Sequence, residues 1–322
     1  MKEKSTINTI LVLAVLCAGI ILAYGNSVYA AAITWDGSES SSWSNPDNWV
    51  GGVVPTSHLD EAVINSSTVP NYLHITAGDV VGTGRLTVRI SGICSMDGGS
   101  LSMYNAAGRW RIGWRTGDNC FMTVNGGTIN TVYTLQICED KGANGYLSVS
   151  NATVSIGRGI TCGAVTGAGT GGGATMIIEP GTTFSCATLG YFPTEIRPNG
   201  KMTINGGLLN CNSLLNVFTG GVLRVNNGTV QATDLTIQGS GINGLVDVSK
   251  GTIEISSNVV ATMQQYVTDG KLTGYAGAGS VVINYDGGTE TTTVTAIPEP
   301  VAAGLLLIGV TGMALYRRSR KG

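Results

Sequence analysis

A short pattern of alternating apolar and polar residues, broken by a glycine-bearing turn, recurs seven times between Cys94 and Ile253. The copies begin at Cys94, Met122, Leu147, Met176, Met202, Leu223 and Val246, spaced 28, 25, 29, 26, 21 and 23 residues apart. Met122-Thr123-Val124-Asn125-Gly126-Gly127-Thr128-Ile129 and Met202-Thr203-Ile204-Asn205-Gly206-Gly207-Leu208-Leu209 show it most clearly; the copy at Met176 carries one extra residue. Period-two alternation turns one face of each short strand inward and leaves the other wet. The central Asn-Gly, Asp-Gly or Lys-Gly pair supplies the positive-φ positions of a tight turn. A weaker second strand follows most copies, at Trp110–Gly113, Thr134–Ile137, Gly159–Cys162, Ala187–Gly190 and Asp234–Ile237.

A period near 25 residues is too short for a propeller blade and suits one rung of a parallel β-solenoid. No rung could bury its own apolar face, so stability must come from stacking. Seven rungs at the usual strand spacing predict a rod of roughly 35 Å. A β-sandwich with regular hairpins is the competing architecture, but sandwich strands differ one from the next, whereas these copies keep one register. The fold class is therefore all-β: a parallel β-solenoid, or β-helix, of about seven rungs, with an N-terminal signal helix and a C-terminal transmembrane helix.

Composition agrees. Charged residues make up 12% of the 322-residue chain and glycine supplies 48 positions, half and about twice the usual shares. Helix formers are scarce, and Thr, Val, Ile, Ser, Asn and Gly favour strands with tight turns. A net charge of −2 gives no electrostatic case for nucleic acid as a partner.

The segment ahead of the repeats carries Trp35, Trp43 and Trp49, with Gly51-Gly52-Val53-Val54-Pro55 leading into Asp60–Ile64. Residues 33–64 resemble the Trp-rich opening found ahead of β-helical repeats in many secreted, autotransporter-like proteins. A C-terminal run of amphipathic strands long enough for an outer-membrane barrel is missing from the sequence. The three indoles either plug the open end of the solenoid, where the first rung would expose an unpaired edge, or form a glycan contact by stacking on pyranose rings.

Both termini read as addresses. Lys2 and Lys4 precede an apolar stretch from Ile10 to Ala23, a polar break at Gly25-Asn26-Ser27, and Ala30-Ala31-Ala32. This is the order of a secretory signal peptide, with small residues suited to signal peptidase cleavage after Ala30 or after Ala32; an uncleaved anchor is the alternative. At the other end, Pro298-Glu299-Pro300 is followed by an apolar run over residues 301–316 and then Arg317, Arg318, Arg320 and Lys321. The run is slightly short of the roughly 17–25 residues of a spanning helix, but Ile297 and the stems of Arg317 and Arg318 extend it. The basic end favours the cytoplasmic side. These residues resemble a PEP-CTERM sorting signal, with Ile297 where valine is commonest. A plain, uncut membrane anchor is the bland alternative. The resemblance implies processing by an exosortase-like enzyme in a Gram-negative bacterium, and an association with exopolysaccharide and biofilm.

Chemistry is less legible. His58 and His74 sit in no metal-ligand spacing, calcium-binding nonapeptides and a GxSxG elbow are missing, and neither metal nor cofactor is expected. Paired carboxylates could mark a polysaccharide lyase or hydrolase. The candidates Asp97, Asp118, Glu139, Asp140, Asp234, Asp247 and Glu254 are scattered one or two per rung. Glu139-Asp140-Lys141 is the densest set. Arg115–Asn119 occupies the equivalent turn one rung earlier, which suggests loop chemistry, so no catalytic residue is assigned. Six cysteines follow the signal segment: Cys94, Cys120, Cys138, Cys162, Cys186 and Cys211. Their number permits three disulfides; the near-rung spacing of the last four could equally stack buried thiols on one side.

The expected organisation is a signal peptide (1–30), a Trp-rich capping segment (31–85), solenoid repeats (86–285), a Thr/Gly linker (286–296) and the sorting signal (297–322). The leading expectation is a non-enzymatic structural protein of the cell surface or extracellular matrix, first held in the inner membrane through residues 301–316. A carbohydrate-binding adhesin is the runner-up, and a polysaccharide lyase the third reading. Clustered carboxylates with Lys or Arg on one face would favour the lyase, exposed coplanar tryptophans would favour binding, and neither would leave the structural reading.

Overall fold

A computed structural model describes residues 31–105, 108–140, 142–164, 172–187, 192–239 and 244–299. The predicted signal peptide (1–30), its Ala30 cleavage position, Pro300, the apolar run and Arg317, Arg318 and Arg320 lie outside the described residues. The chain winds as a parallel β-solenoid of about nine turns, each placing short strands on up to three faces. On the first face nine strands pair in parallel, from Ala31–Thr34 and Asp60–Ile64 through Trp110–Ile112 and Leu135–Ile137 to Thr194–Ile196, Leu214–Val217 and Asp234–Ile237. The second face runs from Leu73–Thr76 to Leu272–Gly274, and the third from Val80–Thr83 to Thr252–Ile255.

The repeat pattern is the register of this stack. Leu147 lies opposite both Met122 and Met176, and Met202 opposite both Met176 and Leu223, so the first apolar position of every copy builds one inward column. Val124, Val149, Ile178, Ile204, Val225 and Val248 form the next column, all at or near zero exposure. Each aliphatic side chain removed from water in this way contributes about 1.5–3 kcal/mol. The contribution is realised only when the turns above and below are in place. The glycine pairs bend the chain between the second and third faces rather than reversing it. At Gly127 (φ 85) the requirement is steric as well as conformational, since a Cβ there would lie 2.5 Å from the carbonyl oxygen of Gly99 one turn earlier.

The stack has two more turns than the seven copies found by pattern. The first, Leu73-His74-Ile75-Thr76, pairs with Cys94–Asp97 in full register, and the last, Leu272–Gly274, is a single short strand on Val246–Val248. The ladder also runs back through the segment expected to be a separate cap, because Ala31–Thr34 and Asp60–Ile64 are already rungs of the first face. What closes the end is the loop between them. Trp35, Trp43 and Trp49 are at most 2% exposed and meet edge to face, with ring centroids 5.0 Å apart in both pairs. Trp49 Nε1–H donates to the Trp43 carbonyl at 2.8 Å and Trp35 Nε1–H to the Asn71 carbonyl at 2.9 Å. Asn48, fully buried, accepts from the backbone of Glu39 and Ser40 through Oδ1.

The far end corrects an expectation. Residues 286–296 were expected as a flexible linker, but Thr291–Pro298 is an eight-residue strand, antiparallel to both Gly279–Asp286 and Thr252–Ile255. The physical reason is alternation: Thr292 and Val294 are buried, so the Thr-rich run presents an inward stripe and is rich in β-branched residues. A helix, α1 (Val260–Thr268), packs on this end through Met263. The reversed strand ends the parallel ladder of the third face by pairing with Thr252–Ile255.

Candidate functional site

Outward positions of the first face and its edges hold a cluster of arginines and carboxylates. Trp110 and Ile112 point inward, so Arg109 and Arg111 point out; Leu135 and Ile137 likewise turn Gln136 out, and Thr194 and Ile196 turn out Glu195 and Arg197. Parallel register puts Thr87, Arg111, Gln136, Thr161, Glu195, Asn216 and Thr236 in one column along the rod. Between residues 31 and 299 the sequence has eight arginines. Seven of them, Arg85, Arg89, Arg109, Arg111, Arg115, Arg158 and Arg197, belong to this face or its edges; Arg224 is on the second.

Glu139, placed by the turn after Leu135–Ile137, sits between two guanidiniums. Arg109 Nη1 lies 2.6 Å from Oε1, and Arg111 Nε lies 2.9 Å from Oε2 in an ion pair not aligned as a hydrogen bond. Arg109 also donates to Gln136 Oε1 at 3.3 Å. Burial pulls the Arg111 guanidinium below its ordinary value, and the Glu139 charge opposes that shift. Two turns further on, Glu195 accepts from Arg197 through Nη2 at 2.6 Å and Nε at 2.8 Å.

Aromatic rings flank the same residues. Arg111 and Arg115 lie 4.5 and 4.6 Å from the Trp114 ring, Arg158 lies 4.1 Å from Tyr133 and 4.8 Å from Phe192, and Arg197 lies 4.9 Å from Phe218. Between them is an open cleft of about 330 Å³ lined by Arg109, Tyr133, Gln136, Glu139, Thr161, Phe192, Glu195 and Arg197 among others. The sequence signal for this face was the polar residue held between two apolar ones in the weaker second strand, as in Trp110-Arg111-Ile112.

The carboxylates flagged from sequence do not converge. Asp118 is buried and holds a turn, accepting from the backbone N–H groups of Ile90, Trp114 and Arg115 at 2.7–2.9 Å. Asp247 accepts from Thr273 Oγ1 and Ala276 N, tying down the closing turn. Asp97 pairs with His74 at 2.9 Å, Glu254 accepts from Gln231, and Asp234 caps its own strand through Leu235 N. Asp140 shares the Glu139 turn, His58 is exposed far from the cleft, and Lys141 lies outside the described residues. Among the described residues no three His, Cys, Asp or Glu side chains form a metal-holding group. The indoles of Trp35, Trp43 and Trp49, considered as a glycan contact, are packed on one another inside the end plug, which leaves no ring face for a sugar.

The six cysteines are free and buried. They do not stack in one column: Cys94 and Cys120 belong to the second face, Cys162 to the first, Cys186 to the third, and Cys138 and Cys211 to turns. Burial pushes the thiols of Cys94, Cys120, Cys138 and Cys211 up to about 12 and raises Cys162 and Cys186 as well.

No protein-family model matches the chain, and no curated protein or solved structure matches it either. No helix among the described residues is long and apolar enough to cross a membrane.

Proposed function

We propose that the chain is an exported, non-enzymatic rod that serves as a structural protein of the cell surface or extracellular matrix. The observation that carries this reading is the state of the carboxylates in the cleft. Glu139 lies between two guanidiniums with 17% of its side chain exposed, and Glu195 is gripped by Arg197 with 16% exposed. The clustering of Arg and Glu on one face is the pattern that would favour a lyase, but a carboxylate already neutralised by guanidiniums is a weak general base. Asp118 and Asp247 hold turns, and Asp97 and Glu254 pair with His74 and Gln231 across neighbouring strands. Ion-paired carboxylates, a packed interior and an indole plug at the first turn suit a part whose task is to keep its shape.

The export half of the proposal rests on the termini: the signal-peptide pattern, and the resemblance of Pro298-Glu299-Pro300, the apolar run and Arg317, Arg318 and Arg320 to a PEP-CTERM signal. The partners would be signal peptidase and an exosortase-like enzyme, and the inner membrane before processing. Mass and terminal peptides of the mature protein from its native host test it. A chain from near Ala31 to near Pro298–Pro300, recovered outside the inner membrane, is expected; a chain retaining Arg320 in the inner membrane would sink it.

A further inference from the structure

We propose that the third face binds ice, its two outward columns of hydroxyl and amide side chains standing in for one layer of the water lattice. The inference goes beyond the surface-rod reading and needs from it only that the face be open to the surroundings.

Register is the first support. Leu101, Ile129, Val154, Phe184 and Val230 point inward on this face, so the residues on either side of each point out. Thr128, Thr153, Thr183, Thr229 and Thr252 then fall in one outward column, preceded by Ser100 and interrupted once, at Leu208. Ser102, Asn130, Ser155, Ser185 and Asn210 form the second column. The pairing keeps step here although the copies are spaced 21 to 29 residues apart in sequence. Strand geometry sets the grid at about 4.8 Å between turns and about 6.6 Å between columns, two residues apart on one strand. Such a rectangle is near the two repeats of water oxygens on the prism plane of hexagonal ice.

What the grid carries is the second support. Threonine is β-branched and stiff at χ1; its hydroxyl continues a water lattice and its methyl fills a hollow in it. Thr153 and Thr183 are exposed, and the other three are half-exposed. Among the described residues these five hydroxyls take no part in the protein's own hydrogen bonding. The corner beside them is tied differently, by bonds from Asn151 to Asn125, Asn205 to Glu179 and Asn226 to Asn205. The strands of this face carry no Lys, Arg or Asp, and their one Glu, Glu254, lies on the last parallel turn. A charge would hold its own hydration shell against the lattice, and the ion pairs of Glu139 and Glu195 are kept to the first face. Beside the second column an open trough of about 430 Å³, lined by Asn130, Ser155, Ser185 and Asn212 among others, has room for a file of waters.

A second copy packed face to face is the competing occupant. It would bury two ranks of unpaired hydroxyls, with only Val80 and Leu208 as larger apolar side chains to offset them, and buried polar groups without partners are costly.

The test freezes the full chain in mild detergent slowly onto a cold surface, with serum albumin as the reference, and compares protein in the ice with protein left in the liquid. The parent should be enriched in the ice about tenfold over albumin and should shape growing crystals into facets. Thr153→Lys/Thr183→Lys should lose that enrichment with an unchanged melting temperature. Thr123→Lys, outward on the second face, should keep it. Exclusion of the parent from ice to the same extent as albumin overturns the proposal, as does an equal loss in Thr123→Lys. A parent dimer that Thr153→Lys/Thr183→Lys converts to a monomer overturns it in favour of the second copy. Ice binding is read in solution, so its failure is separate from failure of the export reading, which the mature termini decide.

Discussion

Arg109 and Glu139 stand 30 residues apart in sequence and 2.6 Å apart in space, joined across one turn of the solenoid. Glu139→Gln leaves Arg109 and the largely buried Arg111 facing a neutral group. Partial exposure discounts the cost of breaking a buried pair, so the expected loss is about 1–3 kcal/mol. Chemical denaturation should show it, and adding Arg109→Gln should cost less than the sum of the two single changes.

Trp49→Ala removes the centre of the indole plug. A fully buried aromatic lost to alanine costs about 3–5 kcal/mol, and neighbouring turns are coupled only to one another. Hydrogen exchange should therefore speed up in Ala31–Thr34 and Asp60–Ile64 while Val222–Val225 and beyond keep their protection. A uniform loss along the rod would contradict the plug assignment.

Val294, fully buried between Ile253 and Ile283 in register, anchors the reversed strand. Val294→Asp should detach that strand and expose the edge of Thr252–Ile255. Exposed edges recruit other chains, so light scattering should rise with protein concentration in this variant and not in the parent.

Ile90 is a β-branched residue at φ 60, held there because its N–H donates to Asp118 and its carbonyl accepts from Asn119 N. Its side chain is 46% exposed and contributes little burial. Ile90→Gly should relieve the left-handed backbone and stabilise the protein by about 1 kcal/mol, read as a higher melting temperature.

The thiols give a pH dependence. In the folded chain Cys94 and Cys120 are held up to about 12 against an ordinary 9.0, so above pH 9 the unfolded chain binds fewer protons than the folded one. Stability is complete below pH 9 and falls as pH rises toward 12. Denaturation midpoints should drop between pH 8 and 10.5, less steeply in Cys94→Ala/Cys120→Ala. A thiol reagent at pH 8 should label the six only after unfolding.

Much of the interior was legible because strand alternation has no other reading: Met122, Val124 and Ile129 point inward as their spacing requires. The strand at Thr194–Ile196 went unread because it offers only three residues of pattern, and the strand expected at Ala187–Gly190 lies mostly outside the described residues. Alternation also says which side of a strand is wet but not what lies beside it, so the gathering of arginines from seven separate positions needed the register of the turns. The tryptophans were ambiguous for a related reason: three indoles close in sequence serve a plug or a platform, and only their edge-to-face contacts decide. Thr291–Pro298 hid behind its threonines, polar enough to read as a tether yet branched enough to make a strand.

That last strand places the Pro298-Glu299 pair directly against the folded body: Pro298 lies opposite Gly279, and Glu299 N donates to the Ala278 carbonyl. There is no slack between them. A pull on the chain beyond Pro298 is transmitted at once to the hairpin, and its first rupture would be the Pro298–Gly279 end of the reversed strand. The rod is thus built to fail at its lid, with the parallel turns meeting the force only after that strand has been peeled away.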